Sequence, residues 1–160
     1  MKHVSQKATR ILNTLTDGLD QDNRSRTFNA HDYDLERGGG IMSVHVEFIK
    51  DCGDANIQRW CDGRSPVFSV AHYYKQNGDL CRDPEMTFMK IATVAKRKGK
   101  HTIVETYCPL TVQTSTPPTY QRAVVYHDNG GIKGFRPAMM SGLARFANAW
   151  MNNIKRQQNL

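Results

Sequence analysis

The sequence predicts an α+β fold, in which an antiparallel meander sheet of about five or six strands carries an N-terminal and a C-terminal helix on one face. Apolar residues recur at helical spacing near each end of the chain. Between these ends, short alternating runs are separated by tight-turn residues, which is typical of strands joined by hairpins. Two amphipathic helices are enough to cover one face of such a sheet. The alternative is a small curled, barrel-like sheet with the helices on its open side.

The bulk composition is that of one globular domain. The chain has 160 residues, of which 39% are hydrophobic and 23% are charged. We find no repeat or linker, so residues 1–160 are expected to form a single domain with long loops at about 20–40 and 51–66. No secretory signal and no apolar stretch of roughly 18 residues is present. These absences predict a cytoplasmic protein that does not bind a membrane.

Each predicted helix is inferred from a stripe of apolar residues at helical spacing. The first spans about residues 4–17 and ends at Gly18, and its stripe consists of Val4, Ala8, Ile11, Leu12, Leu15 and Leu19. The second runs from Pro137 to about Lys155, and its stripe consists of Met139, Leu143, Phe146, Ala147, Trp150 and Ile154. Met140 and Met151 lie off the second stripe, so we interpret them as a possible contact between copies of the chain.

The strands are predicted from alternation and from turn residues. The run 41–50 alternates most cleanly, and Asn77-Gly78 indicates a hairpin after the run 67–75. Pro84 predicts an edge or a bulge in the return strand, because proline cannot donate a ladder hydrogen bond. The remaining predicted strands are 85–93, one or two strands over 102–114 with a bend near Pro109, 120–126, and a short strand at 132–135.

The charge favours an anionic partner. Lys and Arg number 22 against 15 Asp and Glu, giving a formal net charge of +7. This charge favours a nucleic acid or an acidic host protein as partner, although solubility alone explains it equally well. The candidate binding residues are Lys96, Arg97, Lys98 and Lys100 in a basic turn, with Lys155 and Arg156 at the end of the second helix. The alternative interpretations are a solvated hairpin and a favourable helix-dipole contact.

A catalytic interpretation rests on one polar cluster. His72, Asp79, Asp83 and Glu85 lie on the two predicted strands of one hairpin, where carboxylates and an imidazole suit a metal-dependent hydrolase or nuclease. The Glu-x-Lys pattern of one nuclease class is missing, and a capped polar turn explains the same residues. We therefore assign no catalytic residue, no cofactor and no metal site.

Other groups give weaker signals. The four cysteines do not form paired CxxC units, which argues against a structural zinc site, and Cys52 could pair with Cys61 only if the protein were oxidised. His45 and Glu47 share one face of a predicted strand and would contribute to a site if the helices leave that face uncovered.

Three segments resemble an uncharacterised family of small bacterial proteins. They are AHYYKQNGDLCRDPEMTF (71–88), CPLTVQ (108–113) and ARFANAWMNNIKRQ (144–157). That family is described only as a domain of unknown function and is carried mainly on plasmids and integrative conjugative elements. The resemblance covers about residues 4–157 and supplies no catalytic residues. It implies an accessory gene of a mobile element, expressed in a bacterial cytoplasm.

These observations together favour a binding protein over an enzyme. We expect an accessory protein of a mobile element that binds a nucleic acid or a host protein, such as a component of a defence system, through a basic surface. The competing hypothesis is the small hydrolase centred on His72, Asp79, Asp83 and Glu85. The sequence does not indicate an oligomeric state.

Overall fold

The computed structural model describes residues 1–28, 42–52, 65–76, 79–97, 100–115, 117–128 and 131–160, with the backbone alone described at 74–76, 79–80, 96–97 and 100. The predicted α+β class is confirmed. Six strands form one antiparallel meander in chain order, and two short strands form a separate hairpin. The elements are α1 (Gln6–Thr16), β1 (Ser25–Phe28), β2 (Ser43–Asp51), β3 (Pro66–Gln76), β4 (Asp79–Arg97), β5 (Lys100–Ser115), β6 (Pro118–Arg122), β7 (Val124–Tyr126), β8 (Ile132–Phe135) and α2 (Pro137–Gln158).

The first helix ends just before the predicted stop at Gly18, and it begins two residues after the predicted start. Ser5 caps it, because its Oγ accepts a hydrogen bond from the backbone N–H of Ala8 at 3.2 Å. Gly18 follows the last turn with φ of 68°, a left-handed conformation that glycine adopts at low cost. The whole predicted stripe of α1 is buried. Its burial against the sheet makes the helix stable despite its short length.

The second helix is also where it was predicted, but it buries a wider surface. It starts at Pro137 and extends three residues beyond the predicted end. Met140 and Met151 are 1% and 0% exposed, so the predicted contact between copies through these methionines is wrong. Phe146, placed in the predicted stripe, is 41% exposed. The buried side is wide because α2 packs against α1 as well as against β5.

Alternation along the strands gives the main sheet two unlike faces. In the pairing of β2 with β3, Val44, Val46 and Phe48 lie opposite His72, Val70 and Phe68, and all six are buried. This face carries the helices, as shown by the hydrogen bond from Trp150 of α2 to His72. Neither described helix combines the length and hydropathy needed to cross a bilayer.

Tyr107 fixes α1 on the sheet. Its ring is fully buried, and its hydroxyl donates to Asn13 Oδ1 at 2.9 Å and lies 2.7 Å from Thr16 Oγ1. Burial raises the pKa of the phenol, because the charged phenolate is poorly solvated there. The neutral hydroxyl therefore holds the last turns of α1 to β5.

The structure contains one strand that the sequence does not predict, and it divides one predicted strand into two. β1 lies within the stretch that was predicted to be a loop at 20–40. The single strand predicted at 120–126 is divided at Ala123, whose N–H donates to Leu110 O while β7 turns away to pair with β8. Pro84 lies in β4, which is a central strand, so the predicted edge is wrong. The predicted bulge is confirmed, because the β3–β4 pairing shifts register between Ala71 and Tyr73, with the extra residue on β4.

Replacement of Tyr107 by Phe is expected to lower the free energy of unfolding by about 1–2 kcal/mol, because a buried hydroxyl loses its bonds to α1 and leaves polar partners less satisfied. Urea denaturation followed by circular dichroism measures this loss. Tyr120→Phe is the matched control: Tyr120 is 61% exposed, so its variant should stay within about 0.5 kcal/mol of the wild type. Equal losses in both variants would show that Tyr107 does not anchor α1.

Candidate functional site

The sheet face opposite the helices is polar, and we call it the open face. Its central rows are set by register: Ser69 lies beside Thr87, which lies beside Thr111 on the next strand. Glu85 and Gln113 form a parallel row. Side chains of a strand alternate between faces, so these groups point away from the helices. The open face is therefore a surface of hydroxyl, amide and carboxylate groups on rigid strands.

A cavity of about 260 Å³ lies on the open face. Its floor comes from β3, β4 and β5, and its rim from the end of β2 and from β6 and β7. The lining residues are Ile49, Lys50, Val67, Glu85, Thr87, Leu110, Thr111, Gln113, Tyr120 and Tyr126. Polar groups on an apolar base, with two tyrosines at the rim, are the usual composition of a small-ligand site.

Two cations lie close to the ring of Tyr126, which lines this cavity together with Lys50. Lys50 Nζ lies 5.9 Å from the centre of the Tyr126 ring, and the guanidinium carbon of Arg122 lies 5.8 Å from it. The pKa of Tyr126 is raised, mainly because the phenol is half-buried. The neutral ring positions both cations through cation–π attraction without neutralising their charge.

Glu85 is held in place on the cavity floor. Ser69 Oγ donates to Glu85 Oε1 at 2.7 Å, and Arg82 contacts both carboxylate oxygens at 3.2 and 3.1 Å. Arg82 in turn lies over the ring of Tyr73, 5.6 Å from its centre. Nearby, Thr87 and Thr111 bond to each other at 2.7 Å, so their hydroxyls are partly used. Glu85 is a fixed acceptor whose remaining lone pairs are available to a ligand.

His45 and Glu47 also lie on the open face, which neither described helix covers. His45 pairs with Ala71 and Glu47 with Ser69 in the β2–β3 register. His45 Nδ1 lies 2.9 Å from Thr27 Oγ1, and its ring packs edge-on against Tyr73. These contacts extend the polar surface toward β1.

The residues of the predicted catalytic cluster do not converge. His72 lies on the helix face, whereas Glu85 lies on the open face with Ser69 and Arg82. Asp83 is half-buried, and the side chain of Asp79 lies outside the described residues. Among the side chains that the structure describes, no group of three His, Cys, Asp or Glu has metal-binding geometry. Nothing in this arrangement favours the hydrolase hypothesis.

His72 is instead buried in the core, where it contacts α2. It is 3% exposed, its Nδ1 accepts from Trp150 Nε1 at 3.3 Å, and the two rings pack edge to face. Because Nδ1 accepts, the neutral ring carries its proton on Nε2, which is buried and has no partner among the described residues. Burial lowers the pKa of His72 to about 4, since an imidazolium would be poorly solvated here.

The cysteines show no catalytic character within the described residues. Cys81 and Cys108 are free thiols, and Cys61 lies outside the described residues, so the pairing of Cys52 with Cys61 stays a prediction. Cys108 Sγ is 3.9 Å from His3 Nδ1. Burial raises the pKa of Cys108 to about 12 and lowers that of His3, which disfavours the thiolate–imidazolium pair that nucleophilic catalysis uses.

A second feature, which we call the ribbon, is the two-stranded part of β4 and β5 beyond the sheet. Strand β3 pairs with β4 only as far as Met89, whereas β4 and β5 continue to pair from Ile91 with Thr106 to Arg97 with Lys100. Val94 and Ile103 face each other across it and are 51% and 70% exposed. The predicted basic turn lies at its end, where Lys96 pairs with His101 and residues 98–99 lie outside the described residues.

The predicted binding residues fall on two separate elements. Lys96, Arg97 and Lys100 belong to the ribbon, and Lys98 lies outside the described residues between its strands. Lys155 and Arg156 are exposed in the last turn of α2. Sequence reasoning missed Lys50, Arg122, Tyr120 and Tyr126 as site residues. Three of them lie within the one predicted strand 120–126, and only the fold brings Lys50 beside them. The available signal was the spacing of a tyrosine and an arginine two residues apart on that strand, which places both on one face.

Acidification is expected to destabilise the protein through His72. Its folded pKa lies below the unfolded value of 6.5, so its contribution is present above pH 6.5 and is lost as the pH falls toward 4. The loss is at most about 3 kcal/mol, and urea denaturation at several pH values measures it. His72→Phe should show a correspondingly smaller pH dependence, whereas a control at exposed His127, His127→Ala, should keep the wild-type one. A pH dependence that is unchanged in His72→Phe would contradict this assignment.

Comparison with known families identifies the chain. It belongs to a family described as a domain of unknown function (DUF6908), whose model matches residues 36–160. The match includes β2 to β8 and α2, and therefore the cavity and the ribbon. Comparisons with curated proteins and with solved structures gave no match.

Proposed function

We propose that this protein is a non-enzymatic binding protein that attaches to nucleic acid through the ribbon. The observation that carries this proposal is the continuation of β4 and β5 as a two-stranded, basic-ended ribbon beyond the last pairing with β3. A hairpin that only packs on the core does not need such an extension, whereas a hairpin that reaches into a partner needs one.

The ribbon carries more positive than negative charge. Residues 91–106 include four Lys or Arg and one acidic residue, Glu105. Glu105 is neutralised locally, because it lies 2.9 Å from Nζ of Lys90, just outside the ribbon. The four cations cluster at the tip, within residues 96–100. Such a cluster attracts a phosphate backbone and displaces its counterions, which is the main source of sequence-independent affinity.

The dimensions of the ribbon also suit a nucleic acid. Its seven cross-strand pairs, from Ile91–Thr106 to Arg97–Lys100, extend over roughly 20 Å at about 3.4 Å per residue. The major groove of duplex DNA, about 12 Å wide, admits a two-stranded ribbon. Val94, Ile103 and Val104 are 51%, 70% and 45% exposed, and apolar side chains on a DNA-binding ribbon contact bases or wedge between base steps.

We extend the proposal to biological context. The resemblance of the three segments described above supports an accessory role on a plasmid or an integrative conjugative element, and an action in the bacterial cytoplasm. The free thiols at Cys81 and Cys108 accord with a reducing compartment. Lys155 and Arg156 would add a second, smaller group of phosphate contacts. A host protein with an acidic surface, including a component of a defence system, is the competing partner.

The proposal predicts a loss of affinity when the tip charges are removed. Lys96→Ala, Lys98→Ala and Lys100→Ala together should weaken binding to a duplex of roughly 20 base pairs by at least tenfold at about 0.1 M salt. The slope of log affinity against log salt should fall by about 2–3, since three phosphate contacts are lost. Fluorescence anisotropy with labelled DNA measures both quantities.

A control with equal charge loss keeps this test specific. Lys7, Lys133 and Arg145 are exposed on α1, β8 and α2, and their triple alanine variant removes the same charge away from the ribbon. It should keep most of the affinity and of the salt slope. Equal effects of the two triple variants would reject the ribbon as the binding element. Failure of the wild type to bind any DNA or RNA at this salt concentration, with capture of a host protein instead, would reject the nucleic-acid partner.

A further inference from the structure

We infer that the open face holds an unpaired nucleotide of a single-stranded nucleic acid, with its phosphate at Lys50 and Arg122 and its base on Tyr120. This site is separate from the ribbon, which would bind duplex DNA in its major groove. It goes beyond the proposed function because it assigns recognition of an exposed base to a second surface.

The anion subsite comes from the two cations on Tyr126. Each lies within 6 Å of the same ring centre, so Lys50 Nζ and the Arg122 guanidinium are at most about 12 Å apart. No carboxylate among the described residues forms an ion pair with either of them. Two cations beside one ring at a cavity, with no ion pair to a carboxylate of the described residues, match a phosphodiester, whose oxygens accept charge-assisted hydrogen bonds.

The stacking subsite is Tyr120. This tyrosine is 61% exposed although it lines the cavity, and it pairs across strands with Gln113 on the floor. Strand β6 also carries Arg122 two residues later, which places an aromatic ring and a cation on the same side of one strand. Exposed aromatic rings on a sheet with neighbouring cations are the common platform for unpaired bases, because every base offers a face for stacking.

The floor supplies groups for a base edge. Glu85 is a carboxylate fixed by Ser69 and Arg82, and it accepts hydrogen bonds such as those from an exocyclic amino group. Gln113 both donates and accepts, and it lies next to Glu85 in the register of β4 and β5. The cavity of about 260 Å³ is slightly smaller than a drug-sized pocket of roughly 300–1,000 Å³, which suits one nucleoside.

The charge and the shape of this site favour an unpaired nucleotide over other ligands. A neutral sugar would use Tyr120 but would leave Lys50 and Arg122 without a counter-charge. A base inside a duplex is stacked and paired on both sides, so it cannot enter a cavity on the sheet. An unpaired nucleotide satisfies the ring, both cations and the polar floor at once.

The test compares a labelled single strand of about 12 nucleotides with a duplex of roughly 20 base pairs, by fluorescence anisotropy at about 0.1 M salt. Tyr120→Ala should weaken single-strand binding roughly tenfold, as expected for one lost base stack, and should leave duplex binding unchanged. Tyr120→Phe keeps the ring and should bind like the wild type. Lys50→Ala with Arg122→Ala should weaken single-strand binding by tenfold or more.

A second measurement reports directly on the cavity. Adenosine monophosphate added to ¹⁵N-labelled protein should shift the side-chain amide resonances of Gln113, and Tyr120→Ala should abolish the shift. Wild-type-like binding of the single strand by Tyr120→Ala would overturn the inference. If the single strand loses affinity only when Lys96, Lys98 and Lys100 are replaced, the open face is not the site while the ribbon proposal still holds. If the ribbon triple variant binds both DNAs normally while Tyr120→Ala loses the single strand, the proposed function fails and this inference remains.

Discussion

Packing of both described helices on one face of the sheet is the constraint on which the rest of the structure depends. Two polar contacts inside an apolar interface set that packing: Trp150 to His72 for α2, and Tyr107 to Asn13 and Thr16 for α1. Apolar packing alone is nearly non-directional, whereas each of these bonds is made in only a narrow range of helix positions. Since both helices are used on this face, the opposite face must supply its own solvation, and it does so with hydroxyl, amide and charged groups.

The helices and the central hairpins could be predicted from local sequence because each is encoded by neighbouring residues. Ser5, Gly18 and Pro137 fix helix ends through backbone chemistry that acts within a few residues. Strand β1 escaped prediction because it has only four residues, all exposed or half-buried, and therefore no alternation to detect. The division of the strand predicted at 120–126 depends on a hydrogen bond from Ala123 to Leu110, a contact that no local pattern encodes.

The candidate sites show the same limit more strongly. The basic tip of the ribbon consists of neighbouring residues, so the sequence alone predicts it. The cavity draws Lys50, Glu85 and Tyr120 from three separate strands, and only the register of the sheet brings them together. The opposite error occurred at His72, which is near Glu85 across the hairpin but belongs to the other face. Consecutive side chains of a strand point to opposite faces of the sheet. Residues that are close in sequence therefore need not meet in one site.

The ribbon and the open face differ in what the fold requires of them. Most of the open face lies directly over the packed core, so its residues are held rigidly and suit recognition of a defined group such as a base. The ribbon has no third strand beside it in the described pairings, and an isolated two-stranded hairpin is only marginally stable in water. Val94 and Ile103 therefore stay exposed at a cost that the fold itself does not offset. A partner that covers Val94 and Ile103 would stabilise the ribbon as it binds. The basic tip that would attract this partner and the apolar pair that it would cover lie on the same ribbon.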